Sequence, residues 1–84
     1  MPLHTHQFVE AFDGFIGFGL NAESDMNTVI YYLQKFSDDT LMQLLRKRLT
    51  ETDRQAIFDL LSGLLRKHLT EPEYHLYFLK DNHD

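Results

Sequence analysis

The sequence predicts an all-α protein, built as a compact bundle-like or orthogonal domain of four to five short helices. Apolar residues recur every three or four positions along most of the chain, which is the spacing of amphipathic helices. No stretch shows the sustained apolar–polar alternation of a half-buried strand. A chain of 84 residues has the length of one domain. We therefore expect a single helical domain over residues 1–84, with frayed ends at 1–4 and 81–84.

Aromatic residues predict the first helix. Phe8, Phe12 and Phe15 recur at helical spacing, so the helix should run from about Thr5, its N-cap, to Phe15 or slightly beyond. Glycines at positions 14, 17 and 19 should end it, because glycine is a poor helix former. Aromatic stripes at this spacing usually fill a core, and an exposed contact surface is the alternative interpretation.

The second and third helices are predicted from aliphatic stripes and acidic caps. The second should begin at Ser24 or Asp25 and end near Phe36. Its apolar face comprises Met26, Val29, Ile30, Leu33 and Phe36. The third should be capped within Ser37-Asp38-Asp39 and extend through the region near 38–49.

The fourth and fifth helices carry the clearest start signals. Thr50 or Thr52 should cap the fourth, near 53–68, which is expected to be the central helix because its apolar set is wide. Thr70 and Glu73, with Pro72 between them, form the pattern of a capping box with proline in the first turn.

Nearly the same ten residues occur twice, as LLRKRLTETD at Leu44–Asp53 and LLRKHLTEPE at Leu64–Glu73. Basic side chains are favourable in the last turn of a helix, where they interact with the negative end of its dipole. Threonine followed by an acidic residue three positions later is typical of a helix start. The repeat is therefore interpreted as the same helix-to-helix junction used twice, and not as a repeated binding motif.

Composition disfavours several classes of function. The formal net charge is −5, whereas nucleic-acid binders usually present a basic surface to phosphates, so nucleic acid is an unlikely partner. The chain has no cysteine, which removes disulfides and thiolate sites and favours a reducing, cytoplasmic location. The longest weakly polar stretch, Gly14–Leu20, is too short to span a bilayer.

No constellation typical of catalysis or metal binding is present in the sequence. The five histidines show neither a HExxH motif nor a helical His-x3-His pair, although His68 and His75 flank one helix junction. The serines have no general base at a recognisable spacing and are better explained as caps or packing residues. We therefore expect no enzymatic activity, no cofactor and no metal.

The function predicted is a small acidic protein–protein interaction or regulatory module that is capable of homodimerising. Its partner would be another protein or a second copy. The expected partner-binding residues are exposed aromatics at the two ends of the chain, Phe15, Phe18, Tyr74 and Tyr77, because aromatic side chains supply much of the energy at interfaces.

The alternative is a helix-turn-helix DNA-binding regulator. The helices near 38–49 and 53–68 would form the motif, and Arg54 and Gln55 would read bases from the start of the second helix. Acidic residues in the same turn, Glu51 and Asp53, would face phosphates and weaken binding.

Overall fold

The computed structural model describes His4 and residues 6–81, and over these residues the chain is helical without strands. The elements are α1 (Gln7–Ala11), α2 (Ala22–Phe36), α3 (Asp39–Arg46), α4 (Glu51–His68) and α5 (Glu71–Glu73), from which the chain continues as a π-helix (Tyr74–Leu79). The all-α prediction with four to five short helices is confirmed. Contacts divide the chain into unit 1, Met1–Arg48, and unit 2, Leu49–Asp84.

Helix α1 is much shorter than predicted. It ends at Ala11, because Phe12 takes an extended conformation with φ −75° and ψ 125°. The proposed cap Thr5 lies outside the described residues, and the residue that precedes the helix is His6. The extension to Phe15 was wrong, and the chain from Phe12 to Asn21 is a loop that leaves Phe15 and Phe18 exposed.

Helix α2 begins at Ala22, earlier than predicted, because Asn21 is its N-cap. The Asn21 side-chain oxygen accepts a hydrogen bond from the Ser24 N–H at 2.9 Å. The Ser24 hydroxyl in turn accepts from the Asn21 N–H at 3.3 Å, which completes a capping box. Ser24 is therefore the third residue of the helix and not its start. Asp38 caps α3 as predicted, by accepting from the Thr40 N–H at 3.1 Å.

Both copies of the repeated sequence lie at helix junctions. Basic side chains fill the last turns of α3 and α4, which end at Arg46 and His68. Thr50 then accepts from the Asp53 N–H at 3.1 Å, and Thr70 accepts from the Glu73 N–H at 3.3 Å. Each threonine N–H donates to the carboxylate of the same acidic residue. The interpretation of the repeat as a twice-used junction is confirmed.

Unit 1 is held together by the polar side of α2. The Thr28 hydroxyl accepts from the Gly17 N–H at 3.0 Å and donates to the Gly17 carbonyl at 2.9 Å. The Gln34 side chain accepts from the Val9 N–H at 2.9 Å. Within the described part of the chain, Val9 and Thr28 are the buried residues, with 3% and 5% of their surface exposed. The N-terminal segment therefore packs on α2 through side-chain hydrogen bonds as well as through apolar contact.

The apolar stripe of α2 lies on the other side of the helix. The residues of the predicted stripe do share one face, since positions 26, 29, 33 and 36 are separated by three or four residues. Ile30 of this stripe is half-buried, whereas the other four residues are exposed: 54% for Met26, 37% for Val29, 55% for Leu33 and 43% for Phe36. The N-terminal segment instead contacts Thr28 and Gln34, on the opposite side of the helix.

Helix α4 was expected to be the central helix because its apolar set is wide, but the structure leaves most of that set exposed. Over its whole described length α4 has no buried residue. Ile57 and Leu65 are half-buried. The other large apolar residues of its stripe are exposed: Phe58 67%, Leu60 61%, Leu61 45% and Leu64 44%. The wide apolar set is thus a surface of unit 2.

Replacing glycine by alanine should change the free energy of unfolding in opposite directions at two positions. Gly19 has φ 101°, a conformation that strains any residue with a Cβ, so Gly19→Ala should lower the free energy of unfolding by about 1 kcal/mol. Gly63 is inside α4 with open space where a Cβ would lie, so Gly63→Ala should raise it by about 0.5–1 kcal/mol. Urea unfolding followed by circular dichroism measures both. Shifts of the same sign would contradict the two backbone assignments.

Candidate functional site

The candidate site is the apolar side of α4, termed here the α4 face. Ile57, Leu61 and Leu64 follow the i, i+4, i+7 spacing that places side chains above one another on a helix. Phe58, Leu60 and Leu65 flank this row. The α4 face therefore consists of Ile57, Phe58, Leu60, Leu61, Leu64 and Leu65. A contiguous row of this size is the kind of surface that marks an interaction site on a folded protein.

The side of α4 away from this face is polar. Gln55 donates a side-chain hydrogen bond to the carboxylate of Asp59, one turn later, at 2.9 Å. Such pairs support the helix from its solvent side. Helix α4 thus keeps its conformation by its capping box and its polar side, and its apolar side is left available for contact.

Opposite charges lie at the two ends of α4. The first turn carries Glu51 and Asp53, and the last turn carries Arg66, Lys67 and His68. This distribution complements the helix dipole, which stabilises the helix itself. It also gives the α4 face an acidic end and a basic end, so that a partner helix would be oriented by its own charges.

A second apolar surface, the α2 face, consists of Met26, Val29, Leu33 and Phe36. Its charges are arranged like those of α4 but are fewer: Glu23 and Asp25 in the first turn and Lys35 in the last. The Lys35 ammonium lies 5.4 Å from the centre of the Tyr31 ring, which is a cation–π contact within the same helix.

The N-terminal aromatics divide into two groups. Phe8 stacks on Phe12, with ring centres 5.0 Å apart, and Phe12 meets Tyr31 edge-on at 6.3 Å. Phe15 and Phe18 are 59% and 74% exposed. The core interpretation of the stripe therefore fits Phe8 and Phe12, whereas Phe15 and Phe18 remain candidate partner-binding residues in the loop after α1.

The C-terminal aromatics also differ from one another. Tyr74 is half-buried and stacks on Phe78, with ring centres 5.4 Å apart. It lines a cleft of about 210 Å³ at the junction of α4 and α5, together with Ser62, Leu65, Arg66, Leu69, Thr70 and Glu71. Tyr77 is 65% exposed. Of this predicted pair, Tyr77 is thus the more accessible.

His75 lies between two carboxylates at the surface of unit 2. Its Nδ1 is 3.1 Å from the Asp81 carboxylate, and its Nε2 is 3.6 Å from that of Glu71. The contact with Asp81 depends on Lys80, because the left-handed conformation of Lys80 (φ 56°) ends the π-helix and turns the chain back toward His75. Asp81, assigned by the sequence to the fraying end, accepts this contact. The hydrogen bond with Asp81 raises the pKa of His75, and the charge of Glu71 adds to it.

The pKa of His75 gives a pH prediction. Because the folded-state pKa is raised, the stabilisation from His75 is full below the ordinary value of about 6.5 and disappears as pH rises through the folded-state pKa. Asp81→Asn should lower that pKa more than Glu71→Gln, because Asp81 is the main cause. An NMR titration of the imidazole measures all three proteins. A wild-type pKa at or below the ordinary value would contradict the described contact.

The two residues of the DNA-binding alternative make local contacts in α4. The Arg54 guanidinium donates to the Leu49 carbonyl at 3.0 Å, and Gln55 is bonded to Asp59. Reading a base would require both side chains to leave these partners. The helix-turn-helix function stays a hypothesis.

Histidine and carboxylate side chains are the metal-binding groups that a chain without cysteine can offer. Within His4 and residues 6–81, no group of three or more such side chains is placed to hold a metal ion. His68 lies in the last turn of α4, whereas His75 is bonded to Asp81. Across the same residues, no helix has both the length and the apolar character needed to cross a bilayer.

Sequence reasoning identified the residues of the α4 and α2 faces but expected α4 to be the central helix of the domain. The sequence feature that points to the exposure of these faces is the small size of the chain, since a short chain buries a smaller share of its surface than a long one. Comparison of the chain with protein-family models, with curated proteins and with solved structures finds no match.

Proposed function

We propose that the protein is a protein–protein interaction module that binds through apolar helix faces and has no catalytic role. The α4 face carries this proposal. It presents Phe58, Leu60, Leu61 and Leu64, each more than two-fifths exposed, on a helix that is capped at its N-terminus and basic at its C-terminus. Large exposed apolar patches are rare on monomers and frequent at binding sites.

The energy available from the α4 face indicates what kind of partner it requires. Burying one leucine or phenylalanine side chain completely contributes roughly 1.5–3 kcal/mol. The exposed half of four such residues therefore contributes on the order of 5 kcal/mol. Association costs about 4–15 kcal/mol in lost translational and rotational freedom. A stable complex thus requires a partner surface that is itself apolar and of similar size.

The acidic composition supports a protein as the partner, and the lack of cysteine supports a cytoplasmic location. The formal net charge of −5 disfavours a polyanionic partner, so we propose a protein as the partner. We also propose a cytoplasmic location, which a cysteine-free composition favours.

Native mass spectrometry of untagged protein, purified gently from its source cells, tests the proposal. The wild type should appear in a complex, either with itself or with another protein. Leu61→Lys should remove that complex, because it places a charge in the middle of the α4 face. Gln55→Lys is the matched control: it adds the same charge to the polar side of the same helix and should leave the complex intact.

Two results would contradict the proposed function. One is a wild type that is entirely monomeric and free of partners in this spectrum. The other is a complex that Leu61→Lys and Gln55→Lys preserve equally. Circular dichroism of both variants establishes that they are still helical, so that loss of the complex reports on binding.

A further inference from the structure

We infer that the partner of the α4 face is a second copy of α4, packed antiparallel to the first in a two-fold symmetric dimer. This inference rests on the proposed function and adds the identity and orientation of the partner. A two-fold interface requires a surface that complements itself. The α4 face meets this requirement in its charges, its apolar residues and its length.

The charges favour the antiparallel orientation. In an antiparallel pair, Asp53 near the start of each helix lies beside Lys67 near the end of the other, and both follow the α4 face because they are seven residues before and after Leu60. In a parallel pair, the acidic turns would meet each other and so would the basic turns. Complementary charges at the flanks of paired helices determine their orientation, whereas like charges destabilise the pair.

The apolar residues and the charges select the same register. When Asp53 is placed opposite Lys67 of the partner subunit, the two-fold axis passes beside Leu60, which is midway between these positions in the sequence. The α4 face runs from Ile57 to Leu65, and its midpoint is Leu61. The centre of the apolar row and the centre of the charge pattern therefore differ by one residue. Both kinds of contact are satisfied by one arrangement.

The α2 face is a second apolar helix surface that α4 could be paired with, and its charges fit less well. The last turn of α2 offers one basic residue, Lys35, and its ammonium is already held over Tyr31. The last turn of α4 offers three basic residues. A second α4 therefore complements the acidic end of α4 better than α2 does. Coverage of α4 by α2 of the same chain is one outcome of the test below.

Sedimentation of the purified protein over a range of concentrations tests for the dimer. The wild type should be dimeric, Leu61→Lys should weaken the dimer by more than about a hundredfold because both copies lose an apolar contact, and Gln55→Lys should match the wild type. A wild type that is monomeric at about 100 μM overturns the inference. If that monomer still forms a Leu61-dependent complex in extracts of its source cells, the proposed function stands with a different partner.

Charge variants test the orientation. Lys67→Glu should weaken the dimer about tenfold, because it turns two attractive pairs with Asp53 into repulsive ones. Mixing Lys67→Glu with Asp53→Lys should restore association, because both flanking pairs are then attractive again. In a parallel dimer Lys67→Glu would exchange one like-charge pair for another, so an unchanged affinity overturns the antiparallel assignment.

A distance measurement tests the same orientation without altering the charges. The chain has no cysteine, so Thr52→Cys provides a single site for a spin label near the start of α4. Antiparallel packing about Leu60 separates the two labelled positions by about 25 Å along the helix axes. Parallel packing brings the two positions level along the helix axes, so that only the lateral distance between the helices separates them. A short distance between the labels would overturn the inference. A monomer in which Leu61→Lys lowers the stability of the fold would also overturn it, because that result would indicate that the chain covers its own α4 face.

Discussion

Replacing Thr28 by valine is expected to lower the free energy of unfolding by about 2 kcal/mol, although the two side chains have nearly the same shape. The substitution removes the hydroxyl that both accepts from the Gly17 N–H and donates to the Gly17 carbonyl. Thr28 is 5% exposed, so water cannot easily replace that partner, and the two backbone groups of Gly17 would lose their bonds to it.

Thr40→Val is the matched control for this prediction. Thr40 is an exposed residue of α3 in the same unit, so the identical chemical change should cost little there. Urea unfolding gives the free energies, and hydrogen exchange at the Gly17 amide reports the local loss of protection. Equal effects of Thr28→Val and Thr40→Val would show that the contact with Gly17 does not hold the N-terminal segment on α2.

Two valines should respond very differently to replacement by alanine. Val9 is 3% exposed, and Val9→Ala should lower the free energy of unfolding by about 2 kcal/mol through lost apolar burial and the cavity that remains. Val29 is 37% exposed on the α2 face, and Val29→Ala should change it by less than about 0.5 kcal/mol in a monomer. The same urea unfolding measurement compares the two. The reverse order would mean that the apolar stripe of α2 is its packed side after all.

Local sequence predicted the helix starts well, because a cap is formed by residues within one turn of each other. Thr50 and Thr70 carry their acidic partners three positions later, and the structure uses both pairs as capping boxes. Asn21 was missed, although its partner Ser24 is a cap-forming residue at the same spacing. The end of α1 was also missed, because the phenylalanine spacing continues beyond Ala11 while the backbone does not.

Periodicity predicted which residues share a face and failed to predict which face is packed. That choice depends on contacts that are distant in sequence, such as the contact of Gln34 with Val9. For the same reason the residues of the α4 face were identified, but α4 was expected to be the central helix of the domain. The apolar residues at the centre of a binding surface resemble those of a protein core, so composition alone does not distinguish the two. The exposure of Phe15, Phe18 and Tyr77 fits the predicted contact residues, and their binding role stays a prediction.

The polar packing of α2 has a thermodynamic consequence. Exposure of apolar surface raises the heat capacity on unfolding, whereas exposure of polar groups lowers it. Unit 1 is held in part by hydrogen bonds that Thr28 and Gln34 make with the N-terminal segment, and its α2 face is exposed, so its unfolding as a monomer should be accompanied by a small heat-capacity change for its length. In the proposed complex, the apolar surface would instead be removed from water when a helix face binds its partner. Calorimetry should therefore assign most of the heat-capacity change of this protein to association and little of it to folding.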